Sequence, residues 1–252
     1  SNINAGSLAL STGGLGSTAV TVGGATFGTM KVSGASTMGT GGSITVSGGD
    51  GSTTGGRLTL VDGAAGSTLT FGNPGVTTNQ LILGNATDPA RLSFEIDTIA
   101  SVNTSDKIVL DPTFGTLYVD AGGTIITIAA LPGAQGGYYD LITFQGTGST
   151  NVDSSHFTLS NTDTVIASFS LDFTDPNKVR LLVSQAAGQP VAFWKGDKSA
   201  TWTDFTGNFY TDASGSTITA IPDYHTDVTF SVTGGATANA DSTLDANTTI
   251  NS

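Results

Sequence analysis

Gly41-Gly42-Ser43-Ile44-Thr45-Val46-Ser47-Gly48-Gly49-Asp50-Gly51, with Gly55-Gly56-Arg57-Leu58-Thr59-Leu60 close behind it, decides the fold class. A short strand carries apolar residues on alternate positions and is bracketed by glycine pairs. Working outward, the same unit recurs at Leu8-Ala9-Leu10, Ala19-Val20-Thr21-Val22 and Met30-Lys31-Val32, then at Leu69-Thr70-Phe71 and Leu81-Ile82-Leu83. The repeats fall about every dozen positions. Twenty of the 35 glycines lie in the first 75 residues, where they supply the positive φ angles that tight corners require. Strand, glycine corner, strand, with no helical stretch, predicts a chain wound round its own core: an all-β, right-handed parallel β-helix or solenoid with two or three strands per coil. An antiparallel sandwich has similar strand spacing, but the corners lack the Asn-Gly signals of hairpins.

Composition agrees. Of 252 residues only 11% are charged, and Glu95 is the single glutamate. Strong helix formers are scarce, while Thr, Ser, Val and Gly abound. The eight basic residues are scattered, the net charge is -12, and no basic stripe exists, so nucleic acid is not an expected partner. No apolar run is long enough for a membrane span. Ser1-Asn2-Ile3-Asn4 has neither a basic start nor an apolar stretch, so the chain reads as a mature product or a piece of something longer. The absence of cysteine fits export without a disulfide framework.

Three segments are expected. Residues 1–90 form the Gly-rich repeats. Residues 91–185 carry longer strands, such as Arg91–Ile96, Tyr138–Phe144 and Lys178–Val183, and form a wider β-helix or a β-sandwich region. Residues 186–252 follow a linker-like Ser184–Pro190 stretch as a second short β segment, rich in aromatics and leading into a further repeat.

The Gly55-Gly56-Arg57-Leu58-Thr59-Leu60 element resembles the autotransporter-associated β-strand repeat of bacterial passenger proteins, as do Gly42-Ser43-Ile44-Thr45-Val46 and Val20-Thr21-Val22-Gly23-Gly24. Leu92–Ile96, Ser105–Leu110 and Gly137–Ile142 are similar to the strands that follow such repeats. Trp194-Lys195-Gly196, Trp202 and Asn208-Phe209 are similar to the segment that opens the next unit in these proteins. The resemblance implies a β-helical stalk, secreted or displayed on the surface of a Gram-negative-type bacterium. It transfers no catalytic residues.

Catalytic signatures are also missing from the residues themselves. Asp62, Asp88, Asp106, Asp111 and Asp175 stand in turn contexts, where the side chain bonds nearby backbone amides. His156 and His225 belong to no metal-ligand cluster and no Ser-His-Asp signature. Val46–Gly51 faintly matches a calcium nonapeptide turn, but only one copy exists. Asp197, Asp204, Asp212, Asp223 and Asp227 make an acidic excess that could hold one calcium ion; no other cofactor is expected.

The expected function is therefore structural: a secreted stalk, coat or filament, not an enzyme. Its partner is expected to be itself, as head-to-tail copies or adjacent repeat units joined through open ends at Ile3, Leu8, Leu10, Leu244 and Ile250. The alternative is an adhesin that binds surface glycans through Trp194, Trp202, Phe209 and Tyr210, which otherwise plug a core junction.

Overall fold

The computed structural model describes residues 1–97, 105–130, 136–160, 167–185, 191–196, 208–210, 212–216 and 227–229. The named elements are all strands. The chain divides into two units: Ser1–Thr162 with Phe169–Ser184, and Asp163–Ser168 with Gln185–Ser252.

Strands of the first unit line up in three rows. The first row is parallel throughout: β1 (Asn2–Ile3), β3 (Ala19–Val22), β5 (Ser43–Val46), β8 (Thr78–Leu83) and β11 (Gly115–Val119). The other two rows are joined by two long strands, β2 (Gly6–Leu15) and β4 (Gly28–Met38), which pair in parallel. The first part of β4 pairs with β6 (Gly56–Thr59), and the second row continues through β9 (Ala90–Ile96), β12 (Thr124–Ala130) and β14 (Phe157–Leu159). The last part of β4 pairs with β7 (Thr68–Phe71), and the third row continues through β10 (Lys107–Val109) and β13 (Gly137–Thr143). Between the two parts of β4, Gly34 sits at φ 63°, a left-handed conformation that turns the strand where a side chain would be strained.

The chain visits the rows in turn, so three strands complete each circuit. Leu58 pairs with Leu92 and Leu92 with Ile126, each 34 residues on (92 − 58; 126 − 92). Rows run without interruption across residue 90. The sheets are nevertheless mixed. In the third row β13 pairs antiparallel with β16 (Lys178–Gln185), which is followed at the edge by β15 (Ala167–Asp172).

In-register pairing stacks like on like. Val20, Ile44, Leu81 and Leu117 form one inward column, and Val22, Val46, Leu83 and Val119 another. Met30, Leu58, Leu92 and Ile126 form a third. All are essentially without solvent exposure. Each such side chain contributes about 1.5–3 kcal/mol by burial. β-branched and Leu side chains suit this use because alternate positions of a strand face the same way.

The corner that opens the second row is a column of a different kind. Gly6 pairs with Gly28, Gly28 with Gly56, and the register continues to Ala90, Thr124 and Phe157. A Cβ on Gly56 would lie 2.1 Å from the Val22 carbonyl oxygen, so only glycine fits there. From Gly28 and Gly56, where a Cβ meets backbone, the residue at this corner changes to Ala90, Thr124 and Phe157, all three buried.

In the second unit, β17 (Val191–Trp194) pairs antiparallel with β18 (Phe209–Tyr210) and parallel with β19 (Asp227–Thr229).

Candidate assembly edge, aromatic cluster and buried carboxylates

The first circuit of the first unit ends the rows on one side. Among the described residues, β1 pairs only with β3 and β2 only with β4, so each leaves a line of backbone N–H and C=O groups without a strand partner. Ile3 stacks on Val22, Leu8 on Met30, Leu10 on Val32 and Leu15 on Met38. The second member of each pair is fully buried, while Ile3, Leu8, Leu10 and Leu15 are only half-buried. Three of the five residues expected at assembly ends therefore form one apolar layer at an open strand edge. Leu15 joins them; its place in sequence, after Gly13-Gly14, hides that it belongs to the same layer. Leu244 and Ile250 lie outside the described residues.

The far side of these rows differs. In the third row β16 pairs antiparallel with β13 in place of a parallel strand, and β15 follows it at the edge. The Phe157 and Phe173 rings meet with centroids 5.6 Å apart, and Phe169 is buried.

In the second unit, Trp194 meets Phe209 edge-on at 4.9 Å between centroids, with Ala192 packed in the same cluster. The Lys195 Nζ lies 5.0 Å from the Tyr210 ring centroid. Trp194, Phe209 and Tyr210 are all buried, which fits the packing role rather than rings offered to a sugar. Trp202 lies outside the described residues.

Most of the turn aspartates do what turns ask of them. Asp111 accepts from the Thr113 and Phe114 amides, Asp175 from Asn177, and Asp50 from Ser52, Thr53 and Thr54. Asp106 differs from the expectation of a turn residue. It is fully buried, and its Oδ1 accepts from the Ser67 amide at 2.9 Å while Oδ2 accepts from the Glu95 amide at 2.7 Å. Glu95, also buried, accepts from the Asp62 and Gly63 amides, and Asp62 accepts from the Ser67 hydroxyl, which itself accepts from the Gly34 amide. These bonds tie together the corners between the second and third rows across three successive circuits. Burial, with Glu95 and Asp62 close by, pushes the Asp106 carboxyl up to about 7.

Asp153, Ser155 and His156 come together in one exposed turn but do not form a catalytic triad. Asp153 and the Ser155 hydroxyl both meet His156 at Nδ1, at 2.9 and 3.0 Å, and the serine hydroxyl also bonds the aspartate. A triad needs the nucleophile on the opposite ring nitrogen from the carboxylate. His225 lies outside the described residues. No group of three His, Asp or Glu side chains able to hold a metal ion occurs among the described residues. Of the acidic segment, Asp212 holds its own turn through the Ser214 amide, while Asp197, Asp204 and Asp223 lie outside the described residues. No helix among them is long and apolar enough to cross a membrane.

No family model matches the chain, and no curated protein matches it.

Proposed function

We propose that the chain is a secreted structural protein whose first unit is a right-handed parallel β-helix, serving as stalk, coat or filament on a Gram-negative-type bacterium. The bacterial surface setting rests on the resemblance to passenger repeats. The assembly reading rests on one observation: the half-buried layer Ile3, Leu8, Leu10 and Leu15 on an unpaired strand edge, above a layer that the same geometry buries completely. Strand addition there supplies partners for the β1 and β2 backbone and covers the apolar layer in one step. The occupant is a second copy of this chain, stacked head to tail. No catalysis is proposed.

The test is sedimentation and negative-stain microscopy of the purified chain across a concentration series. Linear assemblies are expected for the native sequence. Leu8→Lys with Leu10→Lys should leave monomers with an unchanged far-ultraviolet spectrum. A native chain that stays monomeric at high concentration overturns the assembly reading, as do assemblies indifferent to the two lysines.

A further inference from the structure

Charge is sparse in this chain, yet one outward face of the first unit gathers it. Antiparallel pairing of β13 with β16 places Asp140 opposite Arg180, Tyr138 opposite Leu182 and Thr143 opposite Lys178. Lys178 Nζ donates to Asp140 Oδ2 at 2.8 Å. Arg180 donates to Asp172 Oδ1 through Nε at 3.2 Å and Nη2 at 2.7 Å, and Nη2 also donates to Thr174 Oγ1 at 2.9 Å. The guanidinium so fixed lies 4.6 Å from the centroid of the Tyr138 ring. Tyr138 is 52% exposed, and with Val76 it is one of two large hydrophobic side chains left open to solvent among the described residues.

Surface ion pairs alone do not account for this arrangement. Each contributes about 0–1 kcal/mol at most, and neither calls for an exposed aromatic ring beside it. The ring is oriented by an arginine, and the arginine by a carboxylate and a hydroxyl. The backbone beneath is anchored by Tyr139, Leu141, Val179, Leu181 and Val183, all buried on the opposite face of the same strands. A ring held in this way loses little further freedom when a ligand stacks on it. Near it, Asp140 Oδ1 and Arg180 Nη1 make no hydrogen bond among the described residues, which leaves one acceptor and one donor site. The guanidinium lies over one face of the Tyr138 ring; a ring held in this way and half open to solvent, with a donor and an acceptor near it, matches a sugar, which offers C–H groups on one face and hydroxyls round the rim.

We propose that Tyr138, Arg180 and Asp140 form a binding site for a pyranose unit of a neutral glycan. Neutrality follows from charge: both cations here are already paired, and the chain carries a net charge of -12, which repels acidic polymers. The site stands apart from the assembly edge and does not rest on it.

The test is saturation-transfer NMR on the full chain with a panel of neutral oligosaccharides (gluco-, manno- and galacto-series) and with oligogalacturonate. Transfer to at least one neutral series is expected. Tyr138→Ala should weaken it about tenfold or more, and Tyr138→Phe should keep it within about threefold. Asp172→Asn, which frees Arg180 without touching the ligand, should weaken binding while the unfolding midpoint stays near the native value. Binding unchanged in Tyr138→Ala, no transfer from any neutral sugar, or transfer from oligogalacturonate alone overturns the proposal. The Leu8→Lys, Leu10→Lys chain should bind as the native one does, which separates this result from the assembly test.

Discussion

Asp106 shows how a single side chain can act against its sequence context. Asp62, Asp88, Asp111 and Asp175 stand in turns as their neighbours suggest, and Asp62 accepts from the Ala64 amide two residues on. Asp106 instead serves backbone amides 39 and 11 residues away, a separation that no local pattern encodes. Its acid strength carries a testable sign. Burial pushes the folded carboxyl from the ordinary 3.8 of an aspartate up to about 7, so between these values the folded state holds a proton that the unfolded chain has released. Stability from this group is therefore full below about pH 4 and falls as the pH rises towards 7, by on the order of 2–4 kcal/mol. Urea unfolding should give a higher midpoint at pH 4.5 than at pH 8. Asp106→Asn should flatten that difference while lowering stability throughout, because its amide nitrogen must face one of the two N–H donors. A native midpoint that rises between pH 4.5 and 8 contradicts the burial argument.

Elements were largely legible, and their arrangement less so. Strands stand at Ala19–Val22, Ser43–Val46, Leu58, Leu69–Phe71, Leu81–Leu83 and Arg91–Ile96 because alternation between apolar and Thr or Ser residues states which face is buried. Spacing of about a dozen residues left two or three strands per circuit open, since it says nothing of the angle at a corner. Three emerged because β2 and β4 each serve two rows: β4 turns at Gly34, whose amide donates to Ser67 Oγ, and β2 at Thr12, which takes φ 37°. The Tyr138 face was hidden for a related reason. Only antiparallel return of β16 brings Arg180 to it, and a chain read for repeats leads one to expect parallel neighbours. The half-buried apolar layer at the open edge was partly legible, through Ile3, Leu8 and Leu10, because its residues share the repeat's apolar positions. One prediction belongs here: Gly56→Ala should cost about 1–3 kcal/mol or more, because its Cβ would press on the Val22 carbonyl. Gly41→Ala, where a Cβ meets open space at φ 75°, should cost about 1 kcal/mol. Equal midpoints for the two variants in thermal unfolding would refute the crowding argument.

At the scale of the whole molecule, the rows of the first unit have two unlike sides. On one, β1 and β2 each leave one edge unpaired over a half-buried layer; on the other, the third row ends in the antiparallel β16, with Phe157 and Phe169 buried. Hydrogen exchange should show this directly. Amides of β2 should exchange at least about tenfold faster than those of β6 and β9 at low concentration, and slow down as the concentration rises if copies stack there. Uniform protection from β2 through β9 in dilute solution would mean that the edge is already closed. The column Gly6, Gly28, Gly56, Ala90, Thr124, Phe157 gives the stack something that identical repeats lack. Repeats of one sequence can slip past each other by a whole circuit at little cost. Here a slip that brings Ala90, Thr124 or Phe157 to the place of Gly28 or Gly56 drives a side chain into backbone, so the later circuits are told apart from the earlier ones. Past Gly56 the column works as a counter, marking the later circuits by the size of one side chain.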